Sequence, residues 1–267
     1  MKVIILSAGK STRMLSLTKN KPKALLKLPN NKTLLLSQLE VFSNFSTISE
    51  IIIVVGYFAE KIEKKLNNEY SIFRKYFDIK TIFNPFYDLA DNLISLWLAR
   101  YEMNDDVIVF NGDNYVTDIV VTKLLNDKSQ ICMVIDRKDH YSEDDMKVIT
   151  EKKRVLKIGK HLNPNIANGE SIGMVKFTSN TPNKLIEVLD KIVRSKKAFR
   201  FYWLEAIQRL INENNEVNYV EVPANSWVEI DIHDDYKYLQ EFIRQKIKST
   251  SKFSKISEGR MRKNAFL

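Results

Sequence analysis

The chain has 267 residues, 44% hydrophobic and 28% charged, which suits one α/β domain with a full core and excludes a disordered protein. Seven glycines and six prolines exclude collagen-like and low-complexity sequences, and the single cysteine, Cys132, excludes an intramolecular disulfide framework or a cysteine-based zinc site. The net charge is +9, of which residues 247–267 supply +5 through six basic residues against Glu258. No apolar run approaches the roughly 20 residues of a membrane span. Met1 to Leu6 is too short for a signal peptide, so a cytoplasmic protein is expected.

In chain order, Val3 to Leu6 reads as a buried strand, followed by a polar loop to about Leu28. Thr33 to Phe45 carries apolar residues at helical spacing, and Ile51 to Val55 is a β-branched run typical of a strand covered on both faces. Ala59 to Leu66 reads as a helix, Phe77 to Phe83 as a strand, Asp91 to Met103 as a helix and Val107 to Phe110 as a strand. This alternation argues for a parallel sheet wrapped by helices. The second half is less regular. Ile131 to Ile135 is a strand, Met146 to Thr150 with Arg154 to Lys160 a hairpin, and Ile172 to Phe177 a strand. Helices are expected at Asn183 to Ser195 and Trp203 to Asn212, strands at Val217 to Val222 and Trp227 to Ile230, and a closing helix at Asp234 to Ile247. The expected organisation is one unit over residues 1–246, with halves 1–130 and 131–246, and a solvated basic tail over 247–267.

In open α/β sheets ligands bind beyond the carboxyl ends of the strands, where backbone N–H groups point outward. The first such place is Leu6-Ser7-Ala8-Gly9-Lys10-Ser11-Thr12-Arg13. Its small residues allow close backbone approach to an anion. Lys10, Arg13, Lys19, Lys21 and Lys23 give the loop five cations, which suits a polyphosphate. Gly9-Lys10-Ser11 is not a P-loop, because the position that needs the first glycine is Ile4, inside the strand. The Gly-x-Gly-x-x-Gly dinucleotide fingerprint is absent as well.

Leu6 to Met14, with Thr18 and Lys21-Pro22-Lys23, resembles the signature of nucleotidyltransferases that activate small phosphorylated metabolites. That pattern runs Leu-Ala-Ala-Gly-x-Gly-(Ser/Thr)-Arg-(Met/Leu), with Pro-Lys about ten residues beyond the arginine. The chain departs from it at Ser7, where alanine is usual, and at Ser11, where glycine is usual. Ser11 lacks glycine's freedom at positive φ. The resemblance continues through Ile53-Val54-Val55-Gly56-Tyr57, Asn84-Pro85-Phe86-Tyr87, Asn92, Gly112-Asp113-Asn114-Tyr115 and Trp227-Val228-Glu229-Ile230-Asp231. It covers roughly residues 1–245 and is similar to the branch of bacterial choline-phosphate and aminoethylphosphonate cytidylyltransferases.

The resemblance implies a Rossmann-like three-layer core with a mostly parallel mixed sheet and a small β-rich substrate-side region. It implies transfer of CMP from CTP to a small phosphate or phosphonate, with pyrophosphate release and a CDP-activated product for cell-surface or capsule decoration. Phosphocholine, 2-aminoethylphosphonate and an amino-acid or amide phosphate are the acceptor types it suggests. Arg13 would hold the β- and γ-phosphates, and Lys23 would bridge the α-phosphate and the incoming phosphate. Leu6 to Thr12, with Asn92 and Asp113, would complete the nucleotide contacts. Asp113 and Asp231 are the implied Mg²⁺ ligands, since Mg²⁺ needs one or two carboxylates beside phosphate oxygens and water. Glu229 is expected on the opposite face of its strand.

For the acceptor, Tyr87, Tyr202, Trp203 and Trp227 are candidates for an aromatic cage around a cationic head group. Asn92 stands where a helix begins, as a cap or a ligand contact. Asp136, Lys147 and Glu170 are further acceptor candidates. His140, His161 and His233 lack ligand spacing. The alternative enzyme is a sugar-1-phosphate uridylyl- or thymidylyltransferase. The alternative of another class is a nucleic-acid- or membrane-surface-binding protein acting through the basic tail. No nucleic-acid partner is expected, and a homodimer is left open.

Overall fold

The computed structural model describes residues 1–264, with the side chains of Leu15 and of residues 249–264 outside that description. The chain order is β1 (Lys2–Ser7), α1 (Leu15–Thr18), α2 (Leu34–Ser43), β2 (Glu50–Val55), α3 (Ala59–Asn68), β3 (Asp78–Phe83), α4 (Asn92–Leu98), β4 (Val107–Asn111), β5 (Asn114–Val116) and α5 (Asp118–Asn126). There follow β6 (Ile131–Asp136), β7 (Lys147–Glu151), β8 (Arg154–Ile158), β9 (Gly169–Phe177), α6 (Thr181–Val193), α7 (Glu205–Asn212), β10 (Asn218–Glu221), β11 (Trp227–Glu229) and α8 (His233–Asn264).

Nine strands form one sheet in the order β3-β2-β1-β4-β9-β6-β10-β8-β7. β1 to β4 are mutually parallel, β9 runs antiparallel between β4 and β6, and the β7–β8 hairpin closes the far edge. The chain moves outward from β1 to β3 and then returns to place β4 on the other side of β1. That reversal opens a crevice beyond Ser7 and Asn111, the position at which doubly wound sheets bind ligands.

Alternate residues of each strand feed two cores. Ile4, Ile52 and Val109 pack with Leu93 of α4, Leu189 of α6 and Ile207 of α7. Val3, Ile53 and Phe110 pack with Leu39 and Phe42 of α2, Ile62 of α3 and Val121 of α5 on the other face. Every residue of β2 is buried, as its β-branched run requires. A third cluster joins Met14, Leu26 and Leu34 to Val228, Ile230 and Leu239, so α8 and β11 are fastened against the segment that follows β1. Each such side chain contributes about 1.5–3 kcal/mol by leaving water.

The polar stretch before Leu28 contains α1 and two short 3-10 turns, Thr12–Met14 and Lys23–Leu25. The helix expected over Asp91 to Met103 stops at Leu98 and resumes as a 3-10 turn at Arg100–Glu102. α8 runs across the expected boundary at 246/247, and most of the basic tail's side chains lie outside the described residues. Among the described residues, no helix is long and apolar enough to cross a membrane.

Candidate active site

The loop after β1 carries the site's cations to the crevice. Ser11 sits at φ 54°, the left-handed region that the usual glycine of this motif enters without strain. Its carbonyl accepts the Met14 N–H at 2.9 Å and the Thr18 hydroxyl at 3.3 Å, which turns the chain into the Thr12–Met14 turn and presents Arg13. On the neighbouring strand Gly112 follows β4, where a Cβ would stand 1.9 Å from Ser7 Oγ and 2.6 Å from the Leu6 carbonyl. Only glycine therefore lets β4 lead into Asp113 this close to the loop.

Four charged groups meet there. Lys23 Nζ donates to Asp113 Oδ2 at 3.1 Å and to Asp231 Oδ1 at 3.2 Å, and Arg13 donates to Asp231 Oδ2 at 2.8 Å. Burial alone would lower the Lys23 pKa, but Asp113 and Asp231 outweigh it and hold it above the ordinary lysine value. Burial likewise pushes the Asp231 carboxyl up, and Lys23 and Arg13 outweigh that and hold it below the usual range. Asp113, Glu229 and Asp231 bring their oxygens within 4.8 Å of one another. An all-carboxylate set of this kind suits a hard divalent cation such as Mg²⁺.

The structure corrects the expectation that Glu229 faces away from the site. Glu229 and Asp231 are two positions apart, the period that returns a side chain to one face of an extended chain, and both carboxylates meet Asp113. Burial, then the charges of Asp113 and Asp231, push the Glu229 carboxyl well above its ordinary range. Only the Glu-x-Asp spacing itself could have signalled this in the sequence.

Two cavities open from this cluster and share Arg13. The first, about 490 Å³, is lined by Leu6, Ala8 to Arg13, Lys23, Asn92 and Asp113, all anticipated for the nucleotide. Lys10 faces it, paired with Asp88. Ser7 is not part of its lining; its buried Oγ lacks a hydrogen-bond partner and borders a separate space of about 60 Å³ beneath the loop. Asn92 is the first residue of α4 and Asp91 holds the N-cap position, without a side-chain cap bond. The Asn92 side chain instead accepts the Trp203 N–H at 2.9 Å. Asp91, Ser95, Asn111 and Arg200 also line this cavity and were not anticipated.

The second cavity, about 450 Å³, is lined by Asp136, Glu170 and Trp227 of the anticipated acceptor residues. Lys138, Asp144, Asp145 and Tyr238 join them. Asp136 accepts Trp227 Nε1 at 2.9 Å, and Lys138 pairs with Glu170. The four candidate aromatics do not form one cage. Tyr87 and Tyr202 line the first cavity, and only Trp227 lines the second. Trp203 is fully buried, with Nε1 bonded to Asn111 Oδ1 at 2.8 Å, so it ties the segment before α7 to the end of β4 instead of meeting a ligand. Lys147 is buried at 1% exposure and borders neither cavity.

A doubly wound sheet with a cationic loop and a carboxylate cluster at its reversal point defines a nucleotidyltransferase. The chain belongs to the family with a MobA-like NTP transferase domain, whose model matches residues 3–170. It is 27% identical over 253 residues to the choline-phosphate cytidylyltransferase of Streptococcus pneumoniae, covering 91% of this chain and 99% of that protein. It is also 27% identical over 257 residues to the CTP:phosphoglutamine cytidylyltransferase of Campylobacter jejuni, covering 88% and 97%. The solved structure of the Streptococcus pneumoniae CTP:phosphocholine cytidylyltransferase superposes with a TM-score of 0.71 at 27% identity, over 91% of this chain and 98% of that one. The inositol-1-phosphate CTP transferase of T. maritima shares the fold, with a TM-score of 0.72 at 18% identity over 90% and 95%.

Proposed function

We propose that the protein transfers CMP from CTP to a small phosphorylated or phosphonylated metabolite that carries a cationic group. The observation that carries this reading is the pair of cavities meeting at Arg13, one lined by the cationic loop and the other by acidic side chains. Similarity to two cytidylyltransferases over nearly their whole length supports CTP as the donor.

The chemistry is in-line displacement. An acceptor oxygen attacks the α-phosphorus, a new P–O bond forms, the α–β bridging P–O bond breaks, and pyrophosphate leaves with the electron pair. Arg13 offers a guanidinium to the β- and γ-phosphates, in the charge-assisted geometry that favours arginine. Lys23 lies between Asp113 and Asp231, where its ammonium can offset charge on both the α-phosphate and the incoming phosphate. Asp113 and Asp231, with Glu229 beside them, would hold Mg²⁺, which supplies electrostatic stabilisation of the charge developing on the phosphates.

On the acceptor side, Asp136, Asp144, Asp145, Asp231 and Asp235, beside Glu170 and Glu229, line a cavity with two cations, Arg13 and Lys138. That balance favours an ammonium head group, and Trp227 and Tyr238 add aromatic surface for one. Beside its phosphate a hexose 1-phosphate brings only neutral hydroxyls, so the sugar alternative is the weaker fit. We place the enzyme in the cytoplasm as one catalytic unit over residues 1–246, supplying a CDP-activated group for cell-surface decoration.

Pyrophosphate release with Mg²⁺ tests this across CTP, UTP, dTTP, ATP and GTP against phosphocholine, 2-aminoethylphosphonate, amino-acid and amide phosphates, and hexose 1-phosphates. Asp113→Ala serves as the blank. Release with CTP and an amine-bearing acceptor is expected. Release confined to UTP or dTTP with a hexose 1-phosphate would overturn the reading.

A further inference from the structure

Lys147 opens β7 as a charged residue whose side chain reaches neither cavity. Burying an ammonium is costly unless its donors are met. Its three N–H donors match three backbone carbonyls of a single loop, Ser142 at 2.8 Å, Glu143 at 3.1 Å and Asp145 at 3.3 Å. None is left over for a ligand.

The same loop is tied from its other side. The Ser142 N–H and hydroxyl donate to the Asp145 carboxylate at 2.9 and 2.8 Å, and Lys138 reaches Asp145 at 3.5 Å. Residues 142–145 belong to no helix or strand, and besides the Lys147 ammonium the backbone tie to their carbonyls is the Lys147 N–H on Asp145 at 2.9 Å, which a side-chain substitution leaves in place. Ser142, Asp144 and Asp145 nevertheless line the second cavity, and Asp144 approaches Arg13 at 3.8 Å. Loops without such ties open locally at little free-energy cost.

We propose that Lys147 is a positioning residue for the acceptor, gathering the carbonyls of residues 142–145 onto one buried ammonium and so fixing the acidic wall of the 450 Å³ cavity. The inference rests on reading that cavity as the acceptor pocket. Asp144 then stays within reach of Arg13, which links the acceptor wall to the nucleotide loop.

Amide hydrogen exchange and steady-state kinetics of Lys147→Met test it. Methionine keeps the stem and removes all three donors. Exchange at residues 142–146 is expected to rise about tenfold while peptides spanning β1 and the loop to Arg13 stay unchanged. The KM for the acceptor is expected to rise about tenfold, with the KM for CTP within about twofold of wild type. Lys147→Arg, which restores donors and charge, should recover most of both effects. Unchanged loop exchange, or equal rises in both KM values, overturns the proposal. Where the methionine variant does not fold, Lys147→Gln stands in, with a smaller rise in loop exchange expected and wild-type exchange overturning the role. A wild-type enzyme inactive with CTP and every amine-bearing acceptor overturns the acceptor reading alone, whereas the exchange result still decides whether Lys147 holds the loop.

Discussion

Arg13 and Asp231 are 218 positions apart in sequence and 2.8 Å apart in space. The contact joins the loop after β1 to the turn after β11, which the Met14–Val228–Ile230–Leu239 cluster holds from below. The nucleotide loop is therefore braced by residues that follow the whole sheet. Asp231 also accepts from Lys23, so one carboxylate fixes the direction of both loop cations.

Replacing Arg13 tests its assigned role. Arg13→Ala should lower the rate of pyrophosphate release by about 10²–10³-fold, the usual effect of deleting one preorganised electrostatic contact. Arg13→Lys should recover little, because an ammonium cannot reproduce the planar fork of a guanidinium. Initial rates at saturating acceptor, with CTP varied, provide the check. A lysine variant with wild-type kinetics would remove the phosphate-clamp role.

Lys23 lies among the carboxylates proposed to hold the cation, at 3.1 and 3.2 Å from two of them. Before nucleotide binds, its ammonium offsets the same negative charge that Mg²⁺ would. Lys23→Met should therefore bind Mg²⁺ more tightly in the absence of nucleotide, while pyrophosphate release falls by about 10²–10³-fold. Isothermal titration with MgCl₂ separates the two effects. Weaker Mg²⁺ binding in the variant would contradict the placement. Chelation with EDTA should abolish release in the wild type.

The parts of this arrangement readable from sequence are those written in contiguous residues. The run Ile51 to Val55 specifies a doubly covered strand, and Leu6 to Arg13 a cationic loop at a strand exit, because each signal is local. β5 is not legible, for the opposite reason, whereas the helical spacing of Val120, Val121 and Leu124 in α5 is a local signal. Asn114–Val116 is three residues long and pairs with Trp227–Glu229, more than a hundred positions away. Trp203 looked like a candidate ligand contact because an aromatic's composition signal is the same in a core and in a cage. Its burial depends on how the segment before α7 meets Asn92 of α4 and Asn111 at the end of β4. The expectation of an opposite face for Glu229 runs against the strand period: residues two apart share a face, so the Glu229-Ile230-Asp231 spacing itself makes the two carboxylates legible as neighbours.

Ser11 stores a small strain at the loop's tight turn. A non-glycine residue at φ 54° costs about 1–2 kcal/mol, partly offset by the entropy that glycine loses on folding. Its backbone carbonyl makes the bonds to Met14 and Thr18, and these survive substitution. Ser11→Gly should therefore stabilise the protein by about 0.5–1 kcal/mol, a rise of about 1–4 °C in Tm for a chain of this size. A thermal melt of the two proteins side by side checks it. A lower Tm in the variant would mean that the Ser11 side chain contributes more than its backbone costs.

Glu170 makes stability depend on pH near neutrality. Burial pushes its carboxyl up to about 7 from an ordinary 4.5, against the opposing pull of Lys138. The folded protein holds this proton more tightly than the unfolded chain does. The group's contribution is therefore fully present below pH 4.5 and is lost as pH rises through about 7. Glu170→Gln keeps the shape and cannot ionise, and Lys138 retains Asp145 at 3.5 Å as a partner. The variant should thus gain stability relative to wild type between pH 5 and 8, by about 1–2 kcal/mol at the upper end. Denaturant unfolding of both proteins across that range, at one ionic strength, gives the difference directly. Parallel curves would show that the Lys138–Glu170 pair stays ionised throughout, and the acceptor pocket would then carry a fixed negative charge there at every pH tested.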